Sequence, residues 1–368
     1  MKDINQRIAK LSPDQRALLE LKIREKKLDI RVAKTIPRRR DIGPLPLSFA
    51  QQRLWFLDQL EQESSFYNIS TFFRLTGTLD VSILHRSLNA IVSRHEILRT
   101  TFESEEGRPF QVIKPSIDMD LPVIDLTKLD ESNREPEMRR LAVKEGQKPF
   151  KLPEGPLIRG TLLRRDERDH VLLLTMHHII SDGWSMGIFK RELSIFYTDF
   201  LTGNAPSLDE LSIQYGDFAH WQRQWLQGEA LEKQLSYWKN RLEGASSLLE
   251  LPTDRPRPSI QSYSGARESV ILPCELSVAI KSLSRSEGGT PFITLLAAFQ
   301  VLLYRYTGEE DILVGSPIAN RTRMEIENLI GFFVNTLVLR SDLSGNPSFR
   351  EFLHQVRKAA LEAYAHQD

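Results

Sequence analysis

One segment constrains the fold of this chain more than any other. An apolar strand pattern over 171–176 runs into His177 and His178, and Asp182 and Gly183 follow just before a helical pattern begins. Successive side chains of a strand point to opposite faces, so one histidine should point to the core and the other away from it. The segment therefore predicts a strand that leads into a helix, with polar side chains held where the strand ends.

Helical and strand patterns alternate along the rest of the chain. Helical spacing of apolar residues occurs at 81–92, 189–200, 276–284, 291–306 and 348–365, and strand patterns occur at 157–163, 311–315 and 333–340. Interleaving of this kind is typical of α/β proteins. We therefore predict the α/β class, and the length of 368 residues suggests two domains.

The first forty residues differ from the rest in composition. Ser12 and Pro13 give a good helix start, with Gln15 at the capping-box position. A basic, proline-broken segment follows at 36–40 and is typical of a solvated linker. We predict an appended helix and linker over 1–43.

Composition excludes several classes of function. Lys and Arg number 49 and Asp and Glu also 49, so the net charge is zero. A neutral chain gives no support for nucleic acid as a partner, nor for binding to an anionic membrane. The one cysteine rules out an internal disulfide and a cysteine-built zinc site. With no secretory signal pattern at its start, the protein is expected to be cytoplasmic.

The end of the 171–176 strand carries residues suited to acid–base chemistry. A neutral imidazole, with a pKa of about 6.5, accepts a proton from a nucleophile at cytosolic pH. Asp182 would need an arginine partner if it is buried, and we expect it to hold the loop in shape. A structural histidine is the plainer alternative, and no third ligand is spaced to complete a metal site with His and Asp.

Five segments, in order, resemble the motifs of the condensation domains of non-ribosomal peptide synthetases. They are Leu47–Leu57, Arg94–Phe102, the HHxxxDG signature His177–Gly183, Tyr215–Trp221 and Ile330–Thr336. The resemblance covers the chain from about Leu45 to its end. HHxxxDG alone is shared by other acyltransferases, whereas five ordered motifs are highly specific.

The resemblance implies an architecture. It consists of two chloramphenicol acetyltransferase-like lobes arranged in a V, with a tunnel between them. We expect the N-terminal lobe over 44–214 and the C-terminal lobe over 215–368. Because the chain stops where the sixth family motif opens, we expect the second lobe to be truncated, with Phe333 and Val338 partly exposed.

The resemblance also implies an activity and partners. The amine of an acceptor aminoacyl thioester would attack a donor thioester carbonyl to form a peptide bond. Phosphopantetheine arms of an upstream donor and a downstream acceptor carrier domain would deliver the substrates, so the domain itself would bind no cofactor. An adenylation domain of the same synthetase would be a further partner. The stretch 181–186 resembles the subtype that joins an L-configured donor to an L-configured acceptor.

Site residues follow from matching the motifs residue by residue. The signature supplies His178, which would face the tunnel as a general base or a positioning group, together with His177, Asp182 and Gly183. Here His177 would point into the structure, and Gly183 would avoid either backbone strain or obstruction of the substrate. Supporting residues are Arg94 and Arg99, expected in structural ion pairs, Arg321 as the partner of Asp182, and Asn335, Trp184 and Ser185.

Three alternatives stay open at this point. The same fold and histidine would serve a free-standing acyltransferase that uses coenzyme A. The fold would also serve a non-catalytic domain that recruits carriers, although such domains tend to lose the signature that this chain keeps. The appended helix within 1–43 would dock an upstream carrier on another polypeptide, or pack on the first lobe of its own chain.

Overall fold

The computed structural model describes residues 35–39, 43–61, 64–246, 248–259 and 265–368. The helix and docking element expected within 1–43 therefore lie almost wholly outside the described residues. In the part that is described, no helix is both long and apolar enough to cross a membrane.

Helices and strands alternate along the described chain, which confirms the α/β prediction. The strands are β1 Leu45–Pro46, β2 Asn68–Thr76, β3 Thr100–Glu105, β4 Arg108–Ile113, β5 Val123–Asp125, β6 Ile158–Asp166, β7 Asp169–His177, β8 Asp311–Ile318 and β9 Asn335–Asp342. The helices are α1 Phe49–Leu60, α2 Val81–Arg94, α3 Glu131–Gln147, α4 Gly183–Leu201, α5 Tyr215–Trp225, α6 Gly228–Leu242, α7 Cys274–Ser286, α8 Pro291–Thr307, α9 Met324–Glu327 and α10 Phe349–Ala365. Short 3-10 turns cover Glu96–Arg99 and His178–Ile180.

Strand β7 lies inside a sheet of order β2-β7-β6-β5. It pairs antiparallel with both neighbours, and β5 pairs parallel with β6. Both of its faces are buried: Leu172 and Leu174 enter the main core, whereas Val171 and Leu173 enter a smaller one beneath α3. Burial on two faces explains why this strand reads as a continuous apolar run. Further sheets have the orders β1-β4-β3 and β8-β9.

The chain folds into two compact units, and neither matches a predicted lobe. The first unit comprises Thr35–Leu231 together with Ala319–Asn335, and the second comprises Glu232–Ile318 together with Thr336–Asp368. The predicted lobes, with their division after residue 214, stay a prediction. Tyr215 and the segment that contains Phe333 are buried in the core of the first unit.

Helix α2 illustrates how local sequence fixes an element of the first unit. The Asp80 carboxylate accepts a hydrogen bond from the Ile83 N–H at 2.9 Å and caps the helix, which begins where the helical pattern at 81–92 predicts. Leu84, Leu88 and Ile91 then line one face and are buried in the main core. The helix therefore begins at a polar cap and is held by an apolar stripe.

Residues just before β1 pack onto the first unit. Ile36 is buried, and the Arg39 guanidinium pairs with Asp217 at 3.0 Å and also with Glu96. The prediction of a solvated arginine linker is therefore wrong at Arg39. Its side chain pairs with the carboxylates of Asp217 and Glu96, and the buried Ile36 anchors the backbone nearby.

The second unit is built around helix α8. One face packs on α10 and β8 and carries Ile293, Leu296 and Ala297. The opposite face carries a stripe of large apolar side chains that are 43–65 % exposed: Phe292, Leu295, Phe299, Leu302 and Tyr306. In this unit Val338 is half-buried, as expected. The expectation for Phe333 is wrong, because it is 2 % exposed and packs against Tyr215 in the first unit.

Candidate active site

His177 ends strand β7 inside the core. Its backbone N–H donates to the Leu157 carbonyl at 3.0 Å, and its Nδ1 accepts from the Ile179 N–H at 3.1 Å. The residue is 2 % exposed. Burial, followed by the nearby His178, lowers the pKa of His177 to about 3. His177 is therefore a neutral, structural imidazole.

His178 is half-buried and begins the turn that follows β7. Its backbone N–H donates to the Tyr67 carbonyl at 2.7 Å, and its Nδ1 lies 2.8 Å from the Ser181 carbonyl oxygen. Because a carbonyl oxygen only accepts, Nδ1 carries the hydrogen, and Nε2 of the neutral ring holds the lone pair. Among the described residues, no hydrogen bond engages Nε2. The turn therefore presents a proton acceptor of defined tautomer.

The imidazole of His178 packs against one aromatic ring. The ring centroids of His178 and Phe332 are 4.8 Å apart, with an interplanar angle of 67°. This edge-on contact is a favourable geometry for aromatic pairs. The orientation of the imidazole is therefore set by the hydrogen bond at Nδ1 on one side and by Phe332 on another.

Asp182 caps helix α4 and is fully buried. Its Oδ1 accepts from the Ser185 N–H at 2.8 Å and lies 3.2 Å from the Arg321 Nη2. Its Oδ2 accepts from the Phe333 N–H at 3.1 Å. The structure thus contains the predicted pair of Asp182 with Arg321, and structural donors occupy both carboxylate oxygens.

Arg321 connects this carboxylate to the segment before β9. Its Nη1 donates to the carbonyls of Ile326 and Leu329 at 2.6 and 2.7 Å. The side chain is 1 % exposed, and its guanidinium lies 4.1 Å from the Phe333 ring centroid. Burial lowers the pKa of Arg321, while Asp182 raises it. An arginine stays charged even here, so the pair is a buried ion pair.

Buried polar side chains hold the backbone of segment 330–333 at every residue. The Ile330 N–H donates to His95 Nδ1 (3.4 Å), the Gly331 N–H to Ser185 Oγ (3.1 Å), and the Phe333 N–H to Asp182, while the Phe332 carbonyl accepts from Tyr215 Oη (2.6 Å). Because this segment is not part of a strand, side-chain hydrogen bonds take the place of the backbone hydrogen bonds of a sheet. This segment carries the ring that contacts His178.

Arg94 and Arg99 take part in ion pairs, as the sequence predicts. The Arg94 Nε lies 3.3 Å from Glu192 Oε1, and Arg99 lies 3.9 Å from Glu96 and also binds the Lys114 carbonyl. No described contact joins either arginine to His178. Both are therefore placed as structural residues of the first unit.

Glu192 receives a second bond, from His95 Nε2 at 2.8 Å. Burial alone would raise the pKa of Glu192, but its bonds to His95 and Arg94 lower it overall. Burial lowers the pKa of His95. The group of Glu192, His95 and Arg94 was not predicted from the sequence. A signal was present, because Glu192 interrupts the apolar stripe of Phe189, Leu193 and Phe196 on α4.

Gly183, Trp184 and Asn335 complete the predicted set. Gly183 is the first residue of α4, its φ is not left-handed, and an added Cβ would meet nothing within 4 Å. The interpretation of Gly183 as a relief of backbone strain is therefore wrong, and room for substrate stays a prediction. Trp184 is 47 % exposed and donates to the Glu327 carbonyl at 3.0 Å. Asn335 begins β9.

Comparison with known proteins gives the family. The family model described as "Condensation domain" matches residues 42–368. The chain is similar to a linear gramicidin synthase of Brevibacillus parabrevis, with 54 % identity over 324 residues. The matched region is 88 % of this chain and 4 % of that synthase, so the chain spans a small part of a much longer relative.

Two solved structures show the fold. The X-domain in its complex with OxyB from teicoplanin biosynthesis has a TM-score of 0.81 and 30 % identity, over 90 % of this chain and 72 % of that chain. The first condensation domain of the CDA synthetase has a TM-score of 0.74 and 23 % identity, over 88 % and 76 % of the two chains. The second likeness is one of fold alone.

Proposed function

Because the chain belongs to the condensation-domain family of non-ribosomal peptide synthetases, we propose that it joins two carrier-bound acyl groups through a peptide bond. The observation that carries this proposal is the state of His178. Its Nδ1–H is bound to the Ser181 carbonyl, its ring packs edge-on against Phe332, and its Nε2 is left as an acceptor. His177 and Asp182 hold the loop and would not touch the reacting atoms.

The reaction needs only one group to accept and return a proton. The amine nitrogen of the acceptor aminoacyl thioester attacks the donor thioester carbonyl carbon, and a C–N bond forms. The C–S bond of the donor then breaks, and the donor arm leaves as a thiol. Nε2 of His178 takes the proton from the amine and returns it to the departing sulfur. Since a thioester is already activated, placing the two groups together supplies much of the acceleration.

We propose the partners that this reaction needs. They are a donor carrier domain, an acceptor carrier domain and an adenylation domain of the same synthetase, with both substrates held on phosphopantetheine arms. The great length of the relatives supports this proposal, since the chain matches only 4–6 % of three linear gramicidin synthase polypeptides. The protein itself would bind no cofactor.

We also propose that the donor and the acceptor are both L-configured. Support comes from the resemblance of Ser181–Met186 to that subtype. The test loads one donor carrier with an L-aminoacyl group and another with its D-enantiomer, each against the same acceptor. Faster product formation from the L-donor is expected. Preference for the D-donor would contradict the subtype.

The decisive experiment for the function mixes the chain with separately loaded donor and acceptor carriers and measures dipeptidyl carrier by mass spectrometry. We expect product with the natural chain and a loss of roughly 10²-fold or more with His178→Ala, the scale of a positioned acid–base residue. His220→Ala, which removes an exposed imidazole of the first unit, is the matched control and should keep the activity. Equal rates for His178→Ala and the control would remove His178 from the mechanism.

The likeness to an X-domain solved as a complex with OxyB favours a second candidate, a domain that binds a protein without catalysing condensation. The same assay separates the candidates. Tight carrier binding without any dipeptide from the natural chain would favour the binding role. Transfer from a coenzyme A thioester at the rate seen with carriers would instead indicate a free-standing acyltransferase.

A further inference from the structure

Tyr215 lies in a buried chain of hydrogen bonds whose direction can be derived. The Phe332 carbonyl oxygen only accepts, so the Tyr215 hydroxyl donates to it at 2.6 Å. The Ser48 hydroxyl, 2.9 Å from Tyr215 Oη, must then donate to the tyrosine, and it accepts in turn from the Gln51 N–H at 3.1 Å. The chain of bonds thus runs from the start of α1 to the Phe332 carbonyl.

The Tyr215 ring is held as firmly as its hydroxyl. It is 1 % exposed, and its centroid lies 4.9 Å from that of Phe333 and 5.6 Å from that of Phe218. A Cβ on Gly331 would lie 2.0 Å from the Tyr215 Cδ2, so only glycine permits this approach. The ring thus packs against Gly331, and the hydroxyl binds the peptide group between Phe332 and Phe333.

That peptide group determines where the Phe332 ring lies. Its N–H, which belongs to Phe333, is bound to Asp182, and the preceding Gly331 N–H is bound to Ser185 Oγ. Tyr215 is the donor that the structure gives to the carbonyl of this peptide group, that of Phe332. Without the hydroxyl this carbonyl would lose that bond in a buried site. The bond from the Phe333 N–H to Asp182 alone would then hold the peptide group, which would be freer to rotate towards another donor. The ring edge-on to His178 would then move with it.

We propose that Tyr215 is a positioning residue for His178, acting through the Phe332 carbonyl and the Phe332 ring. This inference rests on the proposed function for its catalytic meaning, but the geometry it describes can be tested without carriers. Supporting groups of this kind decide whether a reacting side chain is held closely enough to act. Tyr215 itself touches no reacting atom.

The test observes the His178 imidazole directly, by NMR spectroscopy of labelled histidines. The 368-residue chain is labelled at its eight histidines, and the His178 signals are assigned by their loss in His178→Ala. Phe332→Leu removes the ring and should abolish the ring-current shift of the His178 carbons. Tyr215→Phe keeps the aromatic packing and deletes only the hydroxyl, and it should move the same signals in the same direction. In a condensation assay its kcat should fall by up to about 10²-fold, with the KM for both carriers unchanged.

Tyr197→Phe is the matched control, since its hydroxyl accepts from the Asp80 N–H at 2.9 Å elsewhere in the first unit. It should lower the thermal midpoint without shifting the His178 signals.

Unchanged His178 signals in Tyr215→Phe, or equal shifts in Tyr197→Phe, would overturn the proposal. Signals that move in Tyr215→Phe but not in Phe332→Leu would overturn the route through the ring. A natural chain that forms no dipeptide would instead overturn the proposed function, and the imidazole signals would still decide the positioning role.

Discussion

His177 and His178 are adjacent in the sequence and lie in different environments. The first is buried and accepts a backbone hydrogen bond, whereas the second is half-buried and has an Nε2 that no hydrogen bond from the described part of the chain engages. A bound backbone carbonyl fixes the tautomer of His178, and burial fixes the charge of His177. The two residues of the signature therefore have separate tasks.

The first prediction concerns the pH dependence of stability. The pKa of His177 is lowered to about 3, from about 6.5 in the unfolded chain. Between these values the unfolded state binds the extra proton, so the free energy of unfolding falls as the pH falls. The contribution is fully present above about pH 6.5 and is lost towards pH 3, with a slope of up to about 1.4 kcal/mol per pH unit.

His177→Asn tests this assignment. The asparagine Oδ1 can accept from the Ile179 N–H as Nδ1 does, so the variant removes the titrating group and keeps the bond. Urea unfolding from pH 7 to pH 4 should give a shallower decline for the variant, by about one proton. If the free energy of unfolding declined equally with pH in the two proteins, His177 would not be protonated on unfolding in this range.

At this scale the sequence predicts charges better than it predicts contacts. Asp182 required a partner because a buried carboxylate is costly, and Arg321 is that partner. Tyr215 escaped prediction for a different reason. Its role depends on the return of segment 330–333 to the first unit, which no local pattern reveals.

At the scale of elements, the start of α4 depends on Asp182. Asp182→Ala should lower the free energy of unfolding by roughly 3–5 kcal/mol, because it leaves Arg321 buried without its counter-ion. Asp182→Asn keeps an oxygen for the Ser185 N–H and should be less damaging. Denaturant unfolding measures both. An alanine variant that is fully stable and yet inactive would assign Asp182 a direct chemical role.

Two glycines form a matched pair for testing segment 330–333. Gly331→Ala adds a methyl group against the Tyr215 ring and should cost about 1–3 kcal/mol as overpacking. Gly183→Ala adds the same group where nothing lies within 4 Å, so stability should be unchanged or improved by up to ~1 kcal/mol. Equal unfolding free energies for both variants would contradict this. A stable Gly183→Ala with reduced condensation would support room for substrate at that position.

Element boundaries were predicted well where caps are local. Helix α2 begins at residue 81 as its pattern predicts, after the Asp80 cap, and α10 begins one residue after the predicted start at 348, because Ser348 is its cap. Strand β9 begins at Asn335, two residues later than its apolar pattern suggests. The reason is that the Phe333 N–H is bound to the Asp182 carboxylate and not to a neighbouring strand. A distant side chain thus set a boundary that periodicity cannot locate.

At the scale of the whole molecule, the exposed stripe of α8 should govern behaviour in solution. A helix that is apolar on all sides is normally buried, and large exposed apolar patches favour association. We expect the chain to bind a hydrophobic dye and to self-associate on concentration. The double variant Phe299→Lys and Tyr306→Lys should reduce both, as measured by dye fluorescence and sedimentation. Val143→Lys, at a single exposed apolar residue of α3, is the control. A natural chain that stays monomeric and binds no dye would contradict the expectation.

The first unit is discontinuous, and this affects the order in which it can form. Its core takes Phe332 and Phe333 from a segment that follows most of the second unit along the chain. At ordinary rates of translation, roughly 5–20 s pass between the synthesis of residue 231 and that of residue 333. During that interval Asp182 has no Arg321, and the side chains that bind segment 330–333 lack these partners. The segment Ala319–Asn335 is therefore synthesised long after the rest of the first unit. A nascent chain stalled at residue 231 would expose an incomplete core to chaperones.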